Sequence, residues 1–459
     1  MMHRDAKHLL AATLLTLAMS SPAVAKLPPD QLARLGTDLT PMGAERAGNA
    51  DATIPAWTGG IKSAADAGFP DFKTGGHHPD PFAADQVQFK VDKGNMAQYA
   101  DKLTEGHKAM LSAYDSYSMN VYQTRRSAAF PERIYEATRA AAATAELKPS
   151  GNAVTGTISG VPFPIPANGL EAIWNHILRY RTVNAARNIG QAAVTRDGSY
   201  TLVKFEDEFK GAYFEPGMTE EALNNVIVYF RQKITAPARL AGQILLVHET
   251  LDQEKEIRKA WLYNPGQRRV RRAPNVAFDN PRDGSDGLAT SDQFDMYNGS
   301  PERYDWKLVG KKEMYVPYNN YKLHSDKVKY DQVLAPLHVN PELLRYELHR
   351  VWVVDATLKD GTRHIYKRRT FYIDEDSWQI VAVDCYDNRD ELWRVQEGFG
   401  INYYDEPNYW TTLEVTTDLQ SGRYLALGLN NEESFTYDFS PPLTLSDFTP
   451  AALRRAGTR

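Results

Sequence analysis

Residues able to do chemistry are present, but few are spaced for it. A hydrolase nucleophile elbow places serine at the centre of G-x-S-x-G; residues 156–160 read G-T-I-S-G, with Ser159 one place late. His248-Glu249 opens the run H-E-T-L-D, which lacks the second histidine of a zinc-binding H-E-x-x-H helix. His77 and His78 are adjacent, and neighbouring residues on an extended chain do not converge on one ion. Asp279 to Gly287 (DNPRDGSDG) has the composition of a calcium loop. Pro281 occupies its third position, however, and Thr290 the twelfth, where a bidentate glutamate is required, so it reads as an Asx-rich loop. Carboxylates are abundant, but one sequence does not show which two face each other, so a glycosidase pair stays open. The densest charged feature is Arg268-Arg269-Val270-Arg271-Arg272. On a strand, Arg269 and Arg271 share one face, and guanidinium forks there match an anionic head group. The same run is equally a solvated strand end with local acidic partners.

The side chains in excess are aromatic: 25 Tyr, 17 Phe and 8 Trp in 459 residues. At that density they suit strands and binding surfaces. The 53 basic and 58 acidic residues leave a net charge of −5, without the basic footprint that nucleic-acid binding needs. A lone cysteine, Cys385, excludes an internal disulfide and any cysteine-based metal cluster. No cofactor or metal is expected.

The elements that must position these side chains fall into zones. Residues 1–25 read as a cleavable signal peptide: His3, Arg4 and Lys7, then an apolar run from Leu9 to Met19, then Ala23-Val24-Ala25. The chain is therefore expected in the periplasm, with no cysteine at the cleavage site for a lipid anchor. No later run of 18 apolar residues exists, so an integral membrane protein is not expected. Residues 26–94 form an extended Gly/Pro-rich segment expected to wrap the outside, docked by Trp57, Phe69, Phe72 and Phe82. Residues 95–185 read as helical. Their clearest helix runs from Asn168 to Arg181, with Asn168 and Glu171 spaced as a capping box and Leu170, Ile173, Trp174, Ile177 and Leu178 as an apolar stripe. Residues 186–459 read as an antiparallel β core with a C-terminal tail, because short turns such as Asn264-Pro265-Gly266 and Asp360-Gly361 separate consecutive strands. Residues 26–459 are expected to form one compact unit. Strands 345–358 and 378–386 are apolar on both faces, so both faces must leave water. A second sheet, the wrapping segment or an apolar cavity would each satisfy that demand.

Long motifs in a fixed order then resemble an uncharacterised family of exported Gram-negative proteins, described as outer-membrane lipoprotein-sorting-like and distantly similar to LolA and LolB. They include GLEAIWNHILRYR (169–181), PARLAGQILLVHETLD (237–252), WLYNPGQRRVRRAPN (261–275), DQFDMYN (292–298), YDWKLVGKKEMYVPY (304–318), YELHRVWV (346–353), FYIDEDSWQI (371–380) and DFTPAALRR (447–455). The resemblance implies an α+β, mostly antiparallel fold: a curved half-barrel sheet with helices over its concave face, enclosing an apolar cavity. It also implies carriage of an acyl chain or lipoprotein-like cargo, with an RND-type exporter or an outer-membrane protein as handover partner. This chain is roughly twice the length of LolA or LolB and lacks the amino-terminal cysteine of the LolB type, so its ligand need not be a lipoprotein.

The expected function is a soluble periplasmic carrier of a hydrophobic small molecule or lipid, without enzymatic activity. Trp174, Ile177, Trp261, Tyr263, Trp352 and Trp378 are the expected cavity wall, with Arg269 and Arg271 near a head group. The rivals are a periplasmic polysaccharide hydrolase, which needs two carboxyls about 5–10 Å apart in an open cleft, and an envelope assembly component with no ligand.

Overall fold

A computed structural model describes residues 26–273 and 278–457. The expected signal peptide, 1–25, lies outside the described residues. The fold is a curved, mostly antiparallel sheet of sixteen strands that does not close into a barrel. Thirteen of the strands carry the architecture. Six make a first meander: β1 (Asn184–Val194), β2 (Tyr200–Lys210), β3 (Val226–Ala236), β4 (Ile244–Thr250), β5 (Lys259–Asn264) and β6 (Arg269–Arg272). Seven make a second: β7 (Tyr304–Pro317), β8 (Tyr346–Leu358), β9 (Arg368–Asp374), β10 (Ile380–Tyr386), β11 (Leu392–Tyr403), β12 (Asn408–Asp418) and β13 (Arg423–Leu429). The meanders join where the last strand of the second, β13, pairs antiparallel with the first strand of the first, as in Leu425 against Ala193. Short strands Phe89–Val91, Met119–Val121 and Tyr437–Asp438 complete the sheet. A single parallel bridge, Tyr346 to Val121, makes it mixed.

Helices cover both faces of the second meander, which answers the bifacial apolar pattern of its strands. Helix α1 (Glu105–Ala113) lies on the outer face, where the Gly106 amide donates to Asp384 Oδ1 at 2.9 Å. A Cβ at Gly106 would meet that oxygen at 2.4 Å and Val395 at 2.7 Å, so this close approach requires glycine. The start of the 95–185 segment expected to be helical is interrupted at Leu103-Thr104. There, Thr104 accepts from the His107 amide and starts α1 afresh after a 3-10 turn over Met96–Lys102. Helix α2 (Glu132–Thr144) begins after Pro131. Helix α3 (Gly169–Leu178) lies on the inner face against β7 and β8. Asn168 caps α3 by accepting from the Glu171 amide, while Glu171 reaches back to the Ala167 amide at 2.7 Å, one residue beyond an ordinary capping box.

The segment before the short strand Phe89–Val91 is one helical turn (Pro29–Leu32) followed by turns and isolated bridges, tied down at intervals. The Met42 carbonyl accepts from Trp378 Nε1 at 2.9 Å, and Phe72 packs edge-on to Tyr404. A short helix α4 (Pro450–Gly457) covers the outer face of β4 and β5.

Candidate functional site

The inner face is filled over the second meander and hollow over the first. On the filled side, α3 lays Ile173, Trp174 and Leu178 into a core with Phe371, Ile373, Ile380 and Val383. Several buried polar groups in that core bond to one another. His176 Nδ1 lies 3.0 Å from the Trp378 carbonyl, and Arg179 donates to Asp295 and to Gln379. Burial pushes His176 down to about 3, so it is neutral at every physiological pH.

On the hollow side, a cavity of about 380 Å³ is enclosed by the inner faces of β1 to β5 and by the loop 279–298. Strand alternation selects its wall: Ala185 and Arg187 from β1, Asp207 and Phe209 from β2, Phe230, Gln232 and Ile234 from β3, Leu245 and Val247 from β4, and Leu262 from β5. Phe294, Trp410 and Tyr437 close the side facing the filled core. The loop is the roof. Its Asn280, Pro281, Arg282 and Asp283 face the cavity. Its course is pinned where Gln191 Nε2 donates to the Asp283 carbonyl at 3.2 Å and where Arg394 donates to the Gly287 and Leu288 carbonyls. Gly284 sits at φ +71°, where a Cβ would press on Val203 and Gln191 at 3.0–3.1 Å, so glycine lets the roof touch the sheet.

Charge in the wall is mostly neutralised. Arg181 pairs with Asp295 at 2.7 Å, Arg187 with Asp207 at 2.9 Å, and Arg258 with Glu249 at 2.7 Å. Burial raises the Asp207 carboxyl, opposed by Arg187 and by a hydrogen bond from Gln232. Arg187 also donates to the Tyr437 hydroxyl and lies over the Trp410 and Tyr437 rings at 5.6 and 5.1 Å. The result is a largely apolar chamber whose buried acids are tied up in ion pairs rather than free to exchange protons.

The eight residues expected to line a cavity are placed differently, and none lines this one. Trp261 and Tyr263 flank Leu262 and therefore point to the opposite face of β5; there Tyr263 packs under α4 and its hydroxyl donates to the Gly457 carbonyl at 3.0 Å. Trp174 is wholly buried in the filled core, with Nε1 donating to the Gly151 carbonyl. Trp378 is equally buried and stacks on Trp352 at 6.2 Å. Ile177 reaches a small cleft of about 60 Å³ that adjoins the cavity and shares Ile227, Glu249, Arg258 and Asn298 with it. Arg269 and Arg271 pair across to Asn264 and Leu262, which puts them on the cavity's face of the edge strand but outside the wall, exposed to solvent.

The wall residues themselves were signalled only by alternation: in β4, Leu245, Val247 and Glu249 face in, while Leu246 and His248 face α4 and Phe448. His248 Nε2 lies 2.8 Å from the Phe448 carbonyl, a capping contact and not a catalytic one. The adjacent histidines have separate partners: His77 meets the Asn430 carbonyl at 2.9 Å and His78 meets Asp405 at 2.7 Å.

Residues 90–454 match the family described as Protein of unknown function (DUF1329). The chain belongs to that family. It is 51% identical over 458 residues to "Uncharacterized protein PA3922" of Pseudomonas aeruginosa, covering 99% of this chain and all of that one. Solved structures similar to it include a putative outer membrane lipoprotein-sorting protein domain from Vibrio parahaemolyticus (15% identity, TM-score 0.43, 62% of this chain and 98% of that one). Others are a DUF1329 family protein from Desulfovibrio piger (14%, 0.40, 60% and 92%) and the LolA superfamily protein NE2245 from Nitrosomonas europaea (14%, 0.37, 62% and 98%). Among the described residues, no helix is long and apolar enough to cross a membrane.

Proposed function

We propose that this protein is a periplasmic carrier for a hydrophobic ligand, held in the cavity between the first meander and the loop 279–298. One observation carries the reading: a chamber of about 380 Å³ walled by Phe209, Phe230, Ile234, Leu245, Val247 and Leu262 persists beside a core packed solid on the same sheet face. That volume lies within the range of small-molecule sites, roughly 300–1,000 Å³. Each methylene buried in such a chamber contributes about 0.8 kcal/mol, so retention needs no catalytic group. The alternative, hydrolysis of a polysaccharide, would use the cavity carboxylates Asp207, Glu249 and Asp283, and the first two of these are each held by an arginine. Handover to an envelope acceptor, such as an exporter or an outer-membrane protein, belongs to this reading as its final step. Arg269 and Arg271 stand at the exposed edge strand, with Arg271 opposite Leu262.

The test is to purify the protein from periplasm under gentle conditions and extract it for lipid mass spectrometry. The wild type should yield an apolar molecule approaching one per chain. Leu245→Asp, which places a charge in the half-buried wall, should emerge folded and empty. A wild type that carries nothing, and that also fails to bind an added neutral apolar fluorophore, would overturn the proposal.

A further inference from the structure

Of the four arginines lining the cavity, three are neutralised by carboxylates and one is not. Arg282 stands in the roof, half-buried, with its guanidinium 5.2 Å from the centre of the Phe294 ring. Among the described residues it makes no ion pair within 4.0 Å and no side-chain hydrogen bond, and its burial is offset only by longer-range attraction to Glu414, Asp207 and, least, the neighbouring exposed Asp283. Asp207 is already committed to Arg187 at 2.9 Å. Glu414 shares a small cleft with Arg282, but burial and Asp295 push its carboxyl up to about 7, so it is a weak counter-ion at neutral pH. Arginine does not lose its proton in proteins, so the roof carries a standing positive charge. The position is held rather than accidental: the Arg282 amide donates to the Ala289 carbonyl, its own carbonyl accepts from Ser285 Oγ at 2.8 Å, and the next residue is pinned to Gln191.

Resting on the carrier reading, we infer that the ligand is an anionic amphiphile, with its apolar chain among Phe230, Leu245 and Leu262 and its carboxylate or phosphate head on Arg282. An unpaired guanidinium at the edge of an apolar chamber is costly when the chamber is empty and satisfied when a head group supplies the missing acceptor. A neutral hydrocarbon would leave that cost in place. The planar fork fits carboxylate and phosphate alike, so the two head groups are separated by experiment.

The experiment loads the full-length mature protein with N-phenyl-1-naphthylamine, a neutral apolar fluorophore, and displaces it with dodecanoate, dodecyl phosphate or dodecanol at pH 7.5. Wild type should bind at least one of the two anions about tenfold more tightly than the alcohol, the effect of one charge-assisted hydrogen-bond pair. The tighter of the two names the head group. Arg282→Gln should lose the preference for the anion over dodecanol, while Arg282→Lys should recover part of it. Equal displacement by all three amphiphiles in wild type, or a preference that survives Arg282→Gln, would overturn the assignment while leaving the carrier intact. Failure of wild type to bind the fluorophore or any amphiphile would overturn both.

Discussion

The two meanders are built from the same kind of strand, yet one has its inner face sealed and the other keeps a chamber. Over β7 to β10, α3 delivers Trp174, Ile173 and Leu178 into the space, and Trp378 stacks behind them. Over the inner face of β1 to β5 no α-helix arrives among the described residues; a loop bridges the gap, touching the sheet at Gly284, Leu288, Ala289 and Phe294 and held by Gln191 and Arg394. A helix brings a row of large side chains at 1.5 Å per residue along its axis, whereas this loop faces the cavity mostly with short side chains, Arg282 and Phe294 being the large ones. The hollow is thus a consequence of what covers the sheet rather than of the strands themselves. Charge follows the same division: Arg369, fully buried in the filled half, is ringed by Tyr297, Tyr304 and Phe371 and paired with Asp292, while Arg282 in the roof of the hollow half has no such partner.

That contrast breaks first at Trp174. Trp174→Ala in the filled half should cost about 3–5 kcal/mol in urea unfolding, because the space it leaves cannot collapse. A cost below about 1 kcal/mol would show that this half is not tightly packed. Arg187→Gln should be nearly as damaging, about 3 kcal/mol, since it strands the buried Asp207 carboxylate. A neutral result would mean that Asp207 takes up a proton and needs no partner.

Acid–base behaviour sharpens the comparison further. Burial and the neighbouring Asp376 hold Asp374, in the filled half, up to about 7. In the unfolded chain it titrates near 4. The native state therefore keeps a proton that the unfolded state has released, and stability falls as pH rises through this window. Below about pH 4 both states are protonated and the contribution is fully present. The urea midpoint of wild type should drop between pH 4.5 and 7.5 by more than that of Asp374→Asn; parallel curves would contradict the assignment. Asp292, held low by Arg369 and His364 against its burial, acts in the other direction and only at lower pH, where its protonation removes stability.

The smallest effects belong to the hollow half. Leu245→Ala should cost under about 1 kcal/mol, because it enlarges a space that already exists and the site is half exposed. Arg282→Gln should not lower stability, there being no ion pair to lose and a desolvation cost to relieve. A loss near that of Arg187→Gln would show that Arg282 has a structural partner.

The elements were legible because their signals are local. Asn168 and Glu171 announce the start of α3 and its apolar stripe announces its face, while turns such as Asp360-Gly361 force antiparallel pairing. The identity of the wall was not legible, because alternation says that Trp261 and Leu262 face opposite ways without saying which way is inward. That choice was made by α4, nearly two hundred residues later, which covers Tyr263 and Trp261. The roof was hidden for the same reason. DNPRDGSDG looks like any Asx-rich loop until Gln191, 92 residues upstream, and Arg394 hold it over the chamber. The aromatic excess was read as lining, and tryptophans in this protein serve mainly to fill the sealed half, with Trp410 the one that reaches the cavity.

The most direct test of the hollow half as a ligand site is location. Wild-type protein loaded with a diazirine-bearing fatty acid, irradiated and digested, should carry its label on peptides from residues 227–249 and 278–298, and Leu245→Asp should abolish the label. Labelling confined to residues 346–386, or spread evenly over the surface in both proteins, would contradict it.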